Sequence, residues 1–263
     1  MSLEKGSPCP AAGVLARYIV TKHSSWRGKY HRLFALLEGA LINVDPSNWT
    51  ITNLWRYDSD LVEFGPSVSS DTEFRVTVRN GRRNEVLQFG CERRSDLLTD
   101  LARIAFGRRS GASTPFPGLK VTRAAARVSC TLEVRSYGIA QISPEGEELS
   151  VWSMREIQSI RTVSDDASAV VVDAHGRGHL FALRDVAGFM AAASALATKL
   201  GRTGTVGGST VSVSDFRTAR VKHGNDGAST IAEFHVTKLT SRHPTPRSRR
   251  LVLTDTRLTE RDS

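Results

Sequence analysis

Residues Arg32 to Pro46 read RLFALLEGALINVDP. Two short apolar runs flank Glu38-Gly39, which indicates a turn, and Asp45-Pro46-Ser47-Asn48 indicates a second turn after them. Short apolar runs between turn signals are typical of buried strands. The stretch therefore predicts two adjacent strands separated by a tight turn.

The same rhythm returns twice further along the chain. Cys130 to Pro144 reads CTLEVRSYGIAQISP, and Arg250 to Asp262 reads RLVLTDTRLTERD. The period is about 100 residues, which is too long for a solenoid. We therefore predict tandem copies of one small domain, and we expect the third copy to be incomplete because the chain stops at Ser263, as in a truncated product.

Each complete copy is predicted to be about seven strands followed by one helix. In the first copy, Phe74 to Arg79 alternates in polarity and leads into the hairpin signal Asn80-Gly81. In the second copy, apolar residues at helical spacing follow the N-cap residue Asp185 and end at Gly201. The predicted class is mostly β (α+β), with small antiparallel barrels closed by a helix.

These patterns divide the chain into five parts. We predict a disordered lead-in over residues 1–12, a first module over 13–108, a second module over 118–201, a linker over 202–228 and the start of an incomplete third module over 229–263.

The composition narrows the function classes. A net charge of +9 favours acidic partners, namely phospholipid headgroups, nucleic acid or acidic peptides. The three widely spaced cysteines argue against a disulfide framework and a zinc knuckle, and no apolar run is long enough to span a bilayer. Because no Walker loop, nucleophile elbow or carboxylate pair stands out, we expect no catalytic residues, no metal and no cofactor.

The run from Thr21 to Arg32 is basic and contains no acidic residue. Each cation near an anionic leaflet contributes about 1 kcal/mol, so its four lysines and arginines predict weak membrane binding. A tryptophan suits the headgroup level of a membrane. Strand alternation places Tyr30 and Arg32 on one face and Lys29 on the other. The candidate lipid-binding residues are Lys22, Trp26, Arg27, Lys29, Tyr30 and Arg32. The alternative is a solvated basic turn, with Trp26 packed on its own barrel.

A second basic cluster lies in the equivalent hairpin of the third module and comprises Arg242, Arg247, Arg249 and Arg250. It would either reinforce membrane contact by avidity or form a solvated loop.

Four stretches together resemble a known family. Thr21 to Arg32 reads TKHSSWRGKYHR and is similar to the N-terminal signature of the receptor-mediated endocytosis eight family of large DnaJ-domain endosomal proteins, which reads close to TKHSWRGKYKR. Ile51 to Trp55 resembles the family's VTNxW, and the stretches at 232–236 and 251–262 resemble its third module. This chain has an extra serine at Ser24-Ser25 and a histidine, His31, in place of a lysine.

The resemblance implies tandem pleckstrin-homology-like modules that target a cytoplasmic co-chaperone to the early endosome membrane. It implies binding of phosphatidylinositol 3-phosphate by the first module, and contact of the full-length protein with Hsp70 and with sorting-nexin or clathrin machinery. None of the J-domain chemistry lies in these residues, which lack a His-Pro-Asp motif.

Two other functions stay open. The first is a protein-interaction scaffold, in which an exposed strand edge or the groove beside the helix from Asp185 to Leu200 takes a peptide. The second is nonspecific nucleic-acid binding, which the charge suits, although the aromatic-rich strand motifs of single-strand readers are absent from the sequence. No specific nucleic acid is expected as a partner.

Overall fold

The computed structural model describes residues 3–24, 26, 28–107, 113–122, 126–222, 230–240, 243–254 and 258–262. The chain divides into two compact units, Met1–Val213 and Ser214–Ser263.

The first module is a single antiparallel sheet of seven strands followed by a helix. The strand order is β4-β3-β2-β1-β7-β6-β5, so the sheet curls around one core. Its elements are β1 (Val14–Ser24), β2 (Gly28–Leu37), β3 (Ala40–Asp45), β4 (Thr50–Arg56), β5 (Leu61–Pro66), β6 (Glu73–Asn80), β7 (Arg83–Gly90) and α1 (Arg94–Phe106).

The second module repeats this topology, with strand order β11-β10-β9-β8-β14-β13-β12. Its elements are β8 (Thr114–Val121), β9 (Arg127–Val134), β10 (Gly138–Ile142), β11 (Glu148–Ser153), β12 (Ile157–Val163), β13 (Asp166–Ala174), β14 (Arg177–Leu183) and α2 (Val186–Lys199). The predicted fold class is therefore confirmed: the unit is mostly β, with two seven-stranded curled sheets, each followed by one helix. Strand β8 begins four residues before the predicted start at residue 118.

Alternation along the strands explains the core. Phe34 on β2 is fully buried and meets Phe89 at 4.6 Å and Phe74 at 6.0 Å between ring centroids. Burial of one such side chain stabilises a fold by about 1.5–3 kcal/mol. The opposite face of β2–β4 carries a smaller apolar cluster, which includes Leu33, Ala35 and Ile51.

The N-terminal segment differs from the predicted disordered lead-in. The N–H groups of Gly6 and Cys9 donate to the carbonyls of Ile51 and Trp49, each at 2.8 Å, and Ile51 N–H donates to Ser7 O at 2.8 Å. Leu3 and Cys9 pack against the smaller apolar cluster. The free edge of β4 supplies hydrogen-bond groups that composition alone does not reveal, so this segment adds to the sheet.

The predicted linker also contains structure. Residues Thr205 and Gly207 exchange backbone hydrogen bonds with Ile160 on β12 at 2.8 and 3.0 Å, and Ser164 N–H donates to Val211 O at 3.0 Å. Helix α3 (Val213–Lys222) follows. The Gly- and Ser-rich composition predicted flexibility, but the edge of β12 binds part of this stretch.

The two modules of the first unit pack through α1. Ser95 Oγ donates to the carbonyl of Gly201 at 2.7 Å, and Arg155 reaches Asp100 at 3.7 Å. The same carboxylate accepts a 2.6 Å hydrogen bond from the hydroxyl of Tyr18. Apolar side chains from both modules belong to one continuous core cluster.

The second unit holds a three-stranded antiparallel sheet in the order β15-β16-β17, formed by β15 (Thr230–Thr240), β16 (His243–Thr254) and β17 (Leu258–Asp262). Strand β15 begins one residue after the predicted start of the third module. Across the described ranges, none of the helices is long and apolar enough to cross a bilayer.

Candidate lipid-binding hairpin

Three of the predicted site residues share one face of the β1–β2 hairpin. Lys22 lies opposite Tyr30, and Val20 lies opposite Arg32, in the register of the two strands. Because side chains alternate between faces, Lys22, Tyr30 and Arg32 project to the same side as the core residue Phe34. Tyr30 and Arg32 share a face as the alternation predicted, and the β1–β2 register adds Lys22 to that face.

Positive charge converges on this face. Burial lowers the pKa of Lys22; the carboxylate of Glu85 opposes this effect, and the like charges of Arg32 and Lys5 lower the pKa further. Lys5 belongs to the docked N-terminal segment, which sequence reasoning had set aside. Lys22 thus lies within electrostatic reach of two other cations, and a bound anion would relieve their repulsion of Lys22.

Arg32 is held in place by neighbours. Its Nη1 lies 3.2 Å from Asp45 Oδ2 and donates to the His31 carbonyl at 3.0 Å, and its guanidinium lies 4.5 Å from the centre of the Tyr30 ring. Hydrogen bonds from the hydroxyl and backbone N–H of Ser47, together with the Arg32 charge, lower the pKa of Asp45. Arg32 is therefore oriented and partly neutralised before any ligand arrives.

Trp26 lies at the tip of the hairpin with 77% of its surface exposed. This placement does not fit the alternative in which the indole packs on its own barrel. The turn is built with Gly28 at a φ of 71°, a conformation that glycine adopts without strain. Arg27 and Ser25, the extra residue of the turn, lie outside the described residues.

Lys29 lies on the other face of the hairpin, as predicted. Its Nζ is 3.6 Å from Glu73 Oε1, and His23 Nε2 is 3.8 Å from the same oxygen. Gln88 donates to the second oxygen of Glu73 at 2.8 Å. Lys29 is therefore separated from the face that carries Lys22, and an acidic residue from β6 partly neutralises it.

Sequence reasoning missed the two acidic residues that pair with Arg32 and Lys29. Asp45 comes from the end of β3 and Glu73 from the start of β6, so neither belongs to the acid-free run from Thr21 to Arg32. The only sequence signal for Asp45 was its place in a turn, and Glu73 had none. The β2–β3 hairpin brings Asp45 to Arg32, and pairing of β7 with β1 and with β6 brings Glu73 to Lys29 from a distant part of the sequence.

The described residues of the second module, which leave out 123–125 at the tip of its first hairpin, do not repeat this site. In its first hairpin, Lys120 pairs with Val128 at the positions that Lys22 and Tyr30 occupy in the first module. Gly118 pairs with Cys130 at the positions of Val20 and Arg32. Lys120 Nζ donates to Gln141 Oε1 at 2.7 Å, so the equivalent lysine is bound internally. The converging cations are therefore a feature of the first module.

The predicted second basic patch is partly neutralised where it is described. Arg249 Nε lies 2.9 Å from Glu260 Oε1, and Lys238 Nζ lies 2.7 Å from Glu260 Oε2. These contacts, the Lys238 hydrogen bond first, lower the pKa of Glu260. Arg242 lies outside the described residues, and only the backbone of Arg247 and Arg250 is described, within β16.

Comparison with known proteins gives two family matches that follow the two modules. Residues 17–106 match the DNAJ protein RME-8 N-terminal domain, and residues 116–201 match the DNAJ protein RME-8 second domain. The DnaJ homolog subfamily C protein GRV2 of Arabidopsis thaliana is 32% identical over 103 residues, which is 36% of this chain and 4% of that protein. The chain therefore spans only a small part of this curated relative.

Solved structures with partial similarity include two RhoGEF fragments. The DH/PH domains of p115-RhoGEF (R399E mutant) are 11% identical, with a TM-score of 0.31, over 38% of this chain and 32% of that one. The DH/PH fragment of PDZRhoGEF in complex with human RhoA is 11% identical, with a TM-score of 0.31, over 37% and 29%.

The family matches begin and end close to the bounds of the two seven-stranded modules, and the curated relative carries the same DnaJ designation. The chain belongs to the RME-8 family of DnaJ proteins, and it carries the N-terminal and second domains of that family.

Proposed function

We propose that the first module binds membranes that contain a phosphoinositide, with phosphatidylinositol 3-phosphate as the first candidate. The observation that carries this proposal is the shared face of Lys22, Tyr30 and Arg32 below the exposed Trp26. The cations meet the phosphates, and the indole enters the headgroup layer.

The energies support a headgroup ligand more than a bare anionic surface. Each cation near an anionic leaflet contributes about 1 kcal/mol, which gives weak binding for so few charges. A phosphate monoester adds charge-assisted hydrogen bonds to lysine and arginine, which are roughly twice as strong as neutral ones. The Arg32–Asp45 pair orients the guanidinium but opposes the anion, so a phosphate must attract Arg32 more strongly than Asp45 does.

In the full-length protein this region would be a non-catalytic targeting element. The DnaJ family membership supports a role in which the hairpin holds a co-chaperone at the early endosome membrane, where its J domain recruits Hsp70 for endocytosis and endosomal sorting. Contacts with sorting-nexin or clathrin machinery would come from other parts of that protein.

The direct test is vesicle binding by the 263-residue chain, with phosphatidylinositol 3-phosphate, with phosphatidylinositol 4-phosphate and without either lipid. We expect preference for the first vesicles, and losses of about five-fold for each of Lys22→Ala, Arg32→Ala and Trp26→Ala. Lys199→Ala, which removes an exposed cation of α2, is the matched control and should bind as the wild type does. Equal binding by all variants would refute the proposal.

A further inference from the structure

A second candidate site lies on the outer face of the second module. A groove of about 480 Å³ crosses strands β9, β8 and β14. Leu119 pairs with Ser129 on one side and Ala182 on the other, so these small and medium side chains form its floor. This face is opposite to the one that carries the core residue Phe181. The groove is therefore separate from the first-module hairpin and from the buried core.

Two arginines flank this floor. Arg127 pairs with Val121 across the β8–β9 ladder, and Arg184 donates its backbone N–H to the carbonyl of Pro117 at 3.2 Å. Both side chains are exposed and line the groove. Within the described part of the chain, neither guanidinium has a carboxylate partner or an internal hydrogen bond. Two unneutralised cations at a groove favour an anionic occupant.

The remaining polar groups of the groove do not cancel this charge. Thr131 pairs with Pro117 and lines the groove beside Ser129, so two hydroxyls face the occupant. Ser168 closes one side, and its N–H and hydroxyl both donate to Asp166 Oδ1, at 3.0 and 2.6 Å. That carboxylate oxygen is thus already engaged locally.

The distance between the two arginines limits which ligands can contact both. Arg127 is level with residue 121 of β8, and Arg184 is level with residue 117. Four residues of strand cover about 13 Å, and two strand spacings separate β9 from β14 by roughly 10 Å. In an extended peptide, acidic residues at positions i and i+4 lie on the same side, about 13 Å apart. The flexible arginine side chains span the remaining distance across the strands.

We propose that this groove binds an extended acidic peptide whose carboxylates at i and i+4 contact Arg127 and Arg184. A peptide suits the site better than a lipid, because the groove has a partly apolar floor and holds the two cations apart. A single headgroup needs its cations close together. This peptide site is independent of the lipid site proposed for the first module.

The test measures anisotropy of labelled peptides with the whole 263-residue chain. The probe is an extended peptide with glutamates at i and i+4; the controls carry glutamates at i and i+3, which point to opposite sides, or glutamines at both positions. We expect tighter binding of the first peptide, and a loss of about five-fold for each of Arg127→Ala and Arg184→Ala. Arg177→Ala, an exposed arginine at the other end of β14, should leave the affinity unchanged.

Three other outcomes would contradict the proposed peptide site. The proposal would be overturned if the double variant Arg127→Ala, Arg184→Ala bound the peptide with wild-type affinity. It would also be overturned if the i+3 and i+4 peptides bound equally, because such binding would reflect charge attraction alone. If the double variant instead loses vesicle binding and keeps peptide binding, the groove faces a membrane and the peptide assignment is wrong. Because Lys22→Ala acts on the other module, it should leave peptide binding intact.

Discussion

Arg32 Nη1 lies 3.2 Å from Asp45 Oδ2, so the arginine at the centre of the proposed lipid site is already paired with an acid of its own module. The side chain of Arg32 is only 14% exposed in this arrangement. The pair fixes the direction of the guanidinium and also lowers the positive charge that an anion meets. Removal of the acid is therefore expected to change membrane affinity in a direction opposite to the removal of a cation.

We predict that Asp45→Asn strengthens binding to vesicles with phosphatidylinositol 3-phosphate by about five-fold, because one nearby negative charge is worth about 1 kcal/mol. The amide oxygen still accepts from Ser47, so the turn is retained. The measurement is sedimentation with vesicles. Glu145→Gln, on an exposed turn of the second module, is the charge-matched control. Weaker binding by Asp45→Asn would show that orientation of Arg32 matters more than its charge.

Lys22 is expected to make binding depend on pH. Burial lowers the pKa of Lys22, so this lysine loses its proton at a lower pH than an ordinary lysine does. An anion binds the charged form, and affinity should therefore fall as pH rises through that lowered pKa. In Lys22→Arg the guanidinium keeps its charge, and the fall should move to higher pH. Titration of the lipid phosphate affects both proteins equally, so any difference between their pH profiles comes from residue 22. Superimposable pH profiles of the two proteins would contradict this prediction.

The docked N-terminal segment can be tested through Cys9. Gly6 has a φ of 91° and donates its N–H to Ile51, and proline can do neither. We predict that Gly6→Pro undocks the segment and speeds the reaction of Cys9 with a thiol reagent, while the buried Cys91 and Cys130 stay slow.

Ser7→Ala is the control for that experiment, because only the backbone carbonyl of Ser7 bonds to β4. Its Cys9 should react at the wild-type rate. Equal Cys9 rates in Gly6→Pro and the wild type would mean that the segment does not protect this thiol.

Packing of the two modules is predicted to depend on Gly201. This residue has a φ of 70°, and a Cβ on it would lie 2.9 Å from Nε of the buried Arg94. Arg94 in turn donates to the carbonyls of Ser67, Ser70 and Glu73. Gly201→Ala should therefore lower the free energy of unfolding by about 1–2 kcal/mol for the backbone strain alone, and further because Arg94 is displaced.

Gly146→Ala separates these two causes. Gly146 also has a positive φ, of 87°, but a Cβ there meets nothing within 4 Å. Urea unfolding of both variants should show the larger loss for Gly201→Ala. Equal losses of unfolding free energy in the two variants would mean that backbone strain alone explains the effect and that the contact with Arg94 does not contribute.

Much of the fold was predictable because its signals are local. The repeat of Arg32–Pro46 at Cys130–Pro144, the Asn80-Gly81 turn and the capping residue Asp185 each report on neighbours in sequence. The shared face of Tyr30 and Arg32 was also predicted, since it follows from the two-residue period of a strand. The β1–β2 register, which adds Lys22 to that face, came from the structure. Composition failed at residues 3–10, where hydrogen bonds to a distant strand edge outweigh a turn-rich sequence.

The sequence by itself determined the mostly β class, the repeat of a unit of about seven strands and one helix, and the basic hairpin, because periodicity and turn chemistry act over a few residues. Only the tertiary structure decided which charges meet. Pairing of β3 with β2 sets Asp45 beside Arg32, and pairing of β7 with β1 and with β6 sets Glu73 beside Lys29. Pairing of β8 with β9 and β14 likewise sets Arg127 and Arg184 along one groove. Apart from the Arg32–Asp45 pair, which lies across the β2–β3 hairpin, such contacts depend on pairing between strands that are distant in sequence, and no local pattern in the chain encodes it.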